Sequence, residues 1–422
     1  MLTLNAIRNN TQEIIDRLAK RGIDRSADIM LVLSLDEAKR AKQTLLEQNL
    51  AKANAIAKEV GDLFKAGKKA EADVKKEESI ALKEESKKLE TEVTELENQL
   101  TQKLYEIPNA PSAKVKTGKT PEENEVVYEW GDEPQLPENA KSHWELTSQY
   151  QLVDFELGNK ITGAGFPVYT GKGARLQRAL INFFLDEALA AGYYEIQPPI
   201  LVNEASGFGT GQLPDKEGQM YHAGIDNLYC IPTAEVPITN MYRDVILKEE
   251  ELPLKNMGYT PCFRREAGSY GAHVRGLNRL HQFDKVEIVQ IAHPSNSYEI
   301  LEQMVDHVKG LMTKLGLKFR ILRLCGGDMG FASALTYDFE AWSGAQQKWL
   351  EVSSVSNFET FQANRLKCRF KSKDGKNELV HTLNGSALAL PRIVASLLEN
   401  YQTEDGINLP ECLHPYLGFT KI

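Results

Sequence analysis

Phe263-Arg264-Arg265-Glu266 opens the most informative stretch of the chain, which runs on through Gly268-Ser269-Tyr270-Gly271-Ala272-His273-Val274-Arg275-Gly276 to Arg279-Leu280-His281-Gln282-Phe283-Asp284-Lys285-Val286-Glu287. Apolar runs on either side read as two strands, and the glycines between them read as a basic connecting loop. Such a hairpin can hold a nucleoside triphosphate. Arg264 offers a planar fork for a phosphate, Phe283 a face for a purine, and Glu266 an acceptor for an exocyclic amine. A basic hairpin loop standing alone is more often an exposed turn, so the rest of the chain has to supply the constraint.

At 422 residues the chain exceeds one ordinary core, and two or three structural units are expected. No apolar run approaches the roughly 20 residues of a membrane helix, and Met1-Leu2-Thr3-Leu4-Asn5 shows no basic stretch followed by an apolar core. No membrane partner is expected, and the predicted location is cytoplasmic. Cys230, Cys262, Cys325, Cys368 and Cys412 form no C-x-x-C pair, which predicts reduced thiols and no structural zinc. A net charge of -9 argues against a protein that coats nucleic acid nonspecifically, but it leaves room for a local basic grip.

From Asp28 to Tyr105 the chain has no proline and is dense in Ala, Lys, Glu and Leu. That composition favours long helices that need a seam for stability. Leu82, Leu89, Val93, Leu96, Leu100 and Leu104 supply one stripe, and Ala41, Leu45, Ile56, Val60 and Leu63 a poorer one. The pattern predicts an antiparallel helical hairpin over 1–110, with its tip at 61–74 between the breaks Gly61 and Gly67. Lys65, Lys68, Lys69, Lys75 and Lys76 crowd that tip. They read either as a solvated end or as a grip on a phosphate backbone. Residues 111–137, with their Pro and Gly breaks, read as a linker. From 138 to 422, strand-like runs such as 194–202, 286–291 and 319–324 alternate with helical stretches, which predicts an α+β domain on a mainly antiparallel sheet.

The 259–287 stretch resembles motif 2 of the class II aminoacyl-tRNA synthetases and is similar to their seryl branch. Further blocks fall in that family's order. The 174–202 segment, ending in Gln197-Pro198-Pro199 ahead of Gly207 to Pro214, looks like the dimer-forming motif 1. Ile231-Pro232-Thr233-Ala234-Glu235 matches the serine loop. Glu351-Val352-Ser353-Ser354 matches the strand that meets metal and ATP, and His381 to Arg392 opens a match to motif 3 over 381–398. Alone, Thr-Ala-Glu would be a helix cap, Glu351 to Ser354 an ordinary strand and Phe283 a core residue. It is their order around motif 2 that gives them a functional sense. One departure stands out: Ala387 and Pro391 occupy positions where related sequences can have glycine, and Pro391 ahead of Arg392 is suited to a helix start.

The resemblance implies a homodimeric serine–tRNA ligase that uses ATP and Mg2+ to activate L-serine and then loads tRNA(Ser), and tRNA(Sec) as well. It implies that the N-terminal hairpin reaches across the dimer to the long variable arm of the tRNA, with the tip lysines as contacts. By similarity Arg264 meets the α-phosphate and the amino-acid carboxylate, Arg392 the γ-phosphate and Arg279 the outer phosphates. Glu266 and Phe283 read adenine, with Arg265, Val352 and Ser353 in the same ATP-binding segments. Glu351 and Ser354 hold magnesium. Thr233, Ala234, Glu235, Glu287 and Ser386 form the serine pocket, in which buried polar groups that require a hydroxyl reject alanine. His281 is read as structural. Two alternatives remain: a synthetase-like amino acid:carrier-protein ligase, expected to lack the arm, and a noncatalytic tRNA-binding paralogue, expected to have lost Arg264, Glu287, Glu351 or Arg392.

Overall fold

The computed structural model describes residues 1–215, 217–266 and 275–422. The chain divides into two compact units. One holds residues 2–19 and 23–108, and the other holds Met1, residues 20–22 and residues 109–422.

The first unit contains two short helices, α1 (Leu4–Asn9) and α2 (Thr11–Ala19), and two long ones, α3 (Ser26–Lys65) and α4 (Lys69–Glu106). At about 1.5 Å per residue the long helices each span roughly 60 Å. Their seam is heptad-like. Ala72, Ser79, Ser86, Leu89, Val93 and Leu100 are buried along α4 at steps of three, four or seven, facing Ile29, Val32, Asp36, Leu46, Ala53 and Ile56 of α3. Small residues dominate the α4 half nearest the turn, so the two backbones can approach closely. Ser86 pays no burial penalty for its hydroxyl, which donates to the Leu82 carbonyl at 2.8 Å. Lys39–Glu97 at 3.0 Å and Lys42–Glu92 at 2.7 Å fix the antiparallel register. Asp36, buried at the base, accepts from Arg8 and Arg40, and the Arg8 hydrogen bond holds its carboxyl below the usual range.

Two expectations are corrected here. Ala41 and Leu45 are exposed, and Leu46 takes the seam position, because the 3.5-residue period carries the stripe one residue further along. The turn is also narrower than 61–74. Gly61 stays inside α3, and the chain reverses at 66–68, where Gly67 adopts φ 76°, a left-handed conformation open to glycine.

The second unit is built on an eight-stranded sheet: β1 (Glu125–Trp130), β2 (Tyr194–Glu195), β3 (Leu254–Phe263), β4 (Gln282–Ala292), β5 (Phe319–Arg323), β6 (Leu335–Ser343), β7 (Lys348–Asn357) and β8 (His381–Ala389). The strand order is β1-β5-β6-β7-β8-β4-β3-β2, antiparallel throughout except for the parallel β2–β3 pair. The fold is α+β. Strand β1 falls inside the stretch read as a linker. Its run Glu125-Val126-Val127-Tyr128-Glu129-Trp130 carries β-forming residues between charges, as suits an edge strand.

Helices α5 (His143–Gln149), α6 (Gly171–Ala190), α7 (Glu235–Asn240), α8 (Ser297–Lys314), α9 (Phe361–Leu366) and α10 (Leu390–Asn400) surround this sheet. The α6, α8 and α10 helices bury Leu176, Leu180, Leu301, Met304, Ile393 and Leu397 in one core with Ile288, Phe339, Val355 and Ala387 of the strands. That packing covers one sheet face. Lys20 and Arg21 belong to this unit too. The Arg21 guanidinium donates to the carbonyls of Asn109, Met329, Gly330 and Ser333 at 2.9–3.1 Å, and burial pulls its pKa down to about 10. Among the described residues no helix is long and apolar enough to cross a membrane.

Candidate active site

Sheet register assembles the site. Residues opposite each other on paired strands share a face, and the face alternates along each strand. Ser354 lies opposite Asp338, and Glu351 opposite Glu340, which is two residues from Asp338. Glu351 and Ser354 are three positions apart, a spacing that would place them on opposite faces of a regular strand. A register shift leaves Val352 without an opposite number and brings both residues to the same face. Extending the Val355↔Gly385 pairing by one residue sets Ser354 beside Ser386, and Ser386 lies opposite Glu287. Lys285 and Phe283 follow Glu287 on the same face of β4. One row therefore crosses four strands, from Asp338 through Ser354 and Ser386 to Glu287.

Arginines stand at both ends of the row. Arg264 leaves the end of β3, its backbone N–H bonded to the His281 carbonyl at 2.9 Å, and its guanidinium lies 5.2 Å from the centre of the Phe283 ring. Arg392 sits in the first turn of α10, just after Pro391, which is accommodated at the helix start as its fixed φ requires. Its Nε donates to the Asn278 carbonyl at 2.9 Å and its Nη1 to the Glu351 carbonyl at 2.7 Å, with the Glu351 carboxylate 3.6 Å away. Ala387 lies fully buried on the core face of β8, where its methyl packs and leaves the polar row clear.

Thr233, Ala234 and Glu235 form the tight entry into α7, with Ala234 as its N-cap. Thr233 Oγ1 accepts from the Glu235 backbone N–H at 3.2 Å and from Lys285 Nζ at 2.8 Å. Lys285 Nζ also lies 2.6 Å from Glu287 Oε2, to which the Ser386 hydroxyl donates at 3.4 Å. Glu235 is buried and accepts from Gln362 of α9 at 2.6 Å. Burial raises its carboxyl to about 7, with the Glu287 charge adding to the effect. Ser353 points to the other side of β7 and donates to the Ser386 carbonyl at 2.6 Å.

Other predicted residues lie further out. Arg279 and Glu266 pair with each other, and Glu266 holds a left-handed φ of 49° where β3 gives way to the loop. The Arg265 backbone N–H donates to Gln219 while its side chain is exposed. Of the Gly-rich loop read from Gly268 to Gly276, residues 268–274 lie outside the described residues. His281 accepts or donates at 2.8 Å with Tyr221 Oη and stacks on Phe166 at 5.5 Å. On the hairpin, Lys65 pairs with Asp62 and Lys68 with Glu71, and Lys75 braces the two helices through Glu59 and Glu78.

Four residues in this neighbourhood had no role assigned from the sequence: Lys285, Asp338, Gln362 and Asn278. Lys285 was within reach, since it alternates with Phe283 and Glu287. Asp338 was not, because only strand pairing brings it to Ser354. Its Oδ1 is sealed from solvent with no hydrogen-bond partner among the described residues, and burial pushes its carboxyl well above the usual range, with Glu351 adding to the shift. Two carboxylates and the Ser354 hydroxyl make an all-oxygen donor set of the kind a hard divalent cation takes.

Comparisons with known proteins identify the family. The family model described as the tRNA synthetase class II core domain (G, H, P, S and T) matches residues 221–401, and the seryl-tRNA synthetase N-terminal domain matches residues 1–111. The serine–tRNA ligase of Salinibacter ruber is 48% identical over 424 residues, covering 100% of this chain and 99% of that relative. The one from Methylacidiphilum infernorum is 47% identical over 418 residues, with 99% of each covered. Among solved structures, seryl-tRNA synthetase from Pyrococcus horikoshii complexed with ATP has a TM-score of 0.94 at 32% identity, covering 100% of this chain and 99% of that one. The cytoplasmic serine-tRNA ligase from Naegleria fowleri in complex with AMP has a TM-score of 0.88 at 27% identity, covering 100% and 98%. The chain therefore belongs to the seryl-tRNA synthetases, the class II aminoacyl-tRNA synthetases that act as serine–tRNA ligases.

Proposed function

We propose that ATP and L-serine meet on the polar row of the sheet, where a serine carboxylate oxygen attacks the α-phosphorus of ATP. A C–O–P anhydride forms and pyrophosphate leaves; a terminal ribose hydroxyl of tRNA then attacks the carbonyl carbon and AMP leaves. The carboxylate is already ionised at neutral pH, so the first step needs no general base. Its barrier lies in aligning two anions and in the charge that develops around phosphorus. Arg264 is suited to both the serine carboxylate and the α-phosphate, Arg392 to the γ-phosphate and Arg279 to the outer phosphates. Phe283 offers adenine its ring, and Glu266 an acceptor for the exocyclic amine. Thr233, Glu235, Glu287 and Ser386 take serine.

The observation that carries this reading is the placement of Arg264, Phe283, Glu287, Ser386, Glu351 and Arg392 along one face. Glu351 and Ser354, with Asp338 beside them, would hold Mg2+, which would bridge phosphate oxygens and neutralise their charge. The hairpin, with Lys65, Lys68, Lys69, Lys75 and Lys76 near its turn, would take tRNA(Ser) and tRNA(Sec) by shape and backbone contact. Motif 1 would make a homodimer. Its Leu189, Tyr194, Ile200 and Leu201 are 38–72% exposed beside the sheet edge, an apolar strip suited to a partner copy. The cytoplasm is the fitting compartment. A carrier-protein ligase would not need the hairpin, and a noncatalytic paralogue would not need both arginines.

The test is serine-dependent ATP–pyrophosphate exchange. Arg264→Ala should lower it by roughly a hundred-fold or more. Exchange that ignores serine, or that survives the substitution intact, overturns the assignment.

A further inference from the structure

The geometry points to His143 as a positioning residue for the ATP side of the site: its ring, backed by the Glu399 carboxylate, holds the turn at 275–278 where that turn aligns Arg392. This rests on the reading of Arg392 and Arg279 as phosphate-binding groups. His143 opens α5, Glu399 lies in the last turn of α10, and both side chains are fully buried. His143 Nε2 receives the backbone N–H of Leu277 at 2.9 Å. A backbone N–H can only donate, so Nε2 is the acceptor and the ring proton sits on Nδ1. Nδ1 then donates to Glu399 Oε1 at 2.7 Å. The same carboxylate accepts from the His143 backbone N–H at 2.9 Å, from Gln346 Nε2 at 2.8 Å and from Ser343 Oγ.

A second link runs in parallel. Gln346, in the turn between β6 and β7, gives its N–H to Glu399 and accepts with Oε1 from Asn278 Nδ2 at 3.0 Å. The Asn278 carbonyl in turn accepts from Arg392 Nε at 2.9 Å. The turn is thus fastened to both ends of α10. Arg392 in the first turn of the helix grips it directly, and Glu399 in the last reaches it through His143 and Gln346. Gly276 makes the close approach possible: its φ is 67°, and a Cβ there would lie 2.3 Å from His143 Nε2. Without the ring nitrogen, the Leu277 N–H becomes a buried donor with no acceptor. The turn relieves that cost by moving, which draws the Asn278 carbonyl away from Arg392 and carries Arg279 with it.

Full-length protein is assayed by ATP–pyrophosphate exchange with ATP and serine varied in turn, alongside melting temperatures. Two substitutions divide the two bonds of the ring. His143→Gln keeps an acceptor near the Nε2 position and loses the donor to Glu399, whereas His143→Asn keeps a donor near Nδ1 and loses the acceptor for Leu277. His143→Asn should raise KM for ATP by about ten-fold or more and leave KM for serine within about two-fold. His143→Gln should hold KM for ATP within about three-fold of the unaltered protein. A histidine with a merely structural role gives a different pattern: both variants lose melting temperature and active fraction together, with neither KM moved. That pattern overturns the inference, and so does an equal rise in KM for ATP in both variants. Gln346→Leu cuts the parallel link alone and should raise KM for ATP by about three-fold or more. Where the His143 variants do not fold, it decides, and a folded Gln346→Leu protein with KM for ATP unchanged overturns the inference. Exchange by the unaltered protein that ignores serine overturns the reading of the site itself, before any variant is compared.

Discussion

Glu235 shows how one buried carboxyl ties the substrate loop to the stability of the unit. Burial raises its pKa from 4.5 to about 7, and Glu287 adds to the shift, while Gln362, Lys285 and Arg264 oppose it. The folded chain therefore binds this proton more tightly than the unfolded chain. The associated stabilisation is complete below pH 4.5 and is lost as pH rises through 7. Its size is on the order of 3 kcal/mol. Glu235→Gln, which keeps an acceptor for Gln362, should melt less steeply with pH than the unaltered protein, and its relative advantage should grow from pH 5 to pH 8. Parallel melting profiles across that range would refute the link. At this scale the sequence was informative about residue types, and the fold brings Arg264 beside Phe283 and Arg392 beside Glu351. The sequence was silent on Asp338, whose neighbourhood depends on pairing with a strand that ends at Asn357.

Among the elements, the α3–α4 hairpin and the β6–β7 pair give opposite lessons. The α4 stripe was legible because a helix repeats every 3.6 residues and buries what the period selects; Leu89, Val93, Leu100 and Leu104 are all buried. In the α3 stripe Ile56 is buried as read, but Leu46 and not Leu45 takes the seam, since alanine and leucine occur on both sides of that helix and composition does not choose between them. Leu100, 3% exposed, fills the seam near the base. Leu100→Ala should cost about 2–4 kcal/mol of hairpin stability. Amide exchange should accelerate along α3 and α4 while the sheet strands keep their protection, and equal acceleration in both units would show that the hairpin is not a separate cooperative element. The β6–β7 pair was legible as strand but not in its orientation. A one-residue bulge at Val352 turns Glu351 toward Ser354, and no local pattern announces it.

For the whole molecule, the question is whether amino-acid activation needs the hairpin. Removing residues 1–110 would also remove Arg21, whose guanidinium satisfies four carbonyls of the catalytic unit. A cleaner excision joins Leu46 to Leu89 by a short turn, keeping α1, α2, Lys20 and Arg21 and dropping the tip lysines. This variant should form seryl-adenylate at close to the normal rate and lose tRNA charging by roughly a hundred-fold or more, in keeping with the loss of several phosphate contacts. Equal charging by the shortened chain would show that the hairpin does not hold tRNA.

Residue order alone was enough for the family, the α+β class and the helical hairpin, because motif spacing and hydrophobic period are properties of the linear chain. Which side chains touch was settled only by long-range pairing. Lys285 meets Thr233 from 52 positions away, and Asp338 meets Ser354 across two strands. Such contacts follow from strand register, and register is chosen by the packing of the core face as a unit.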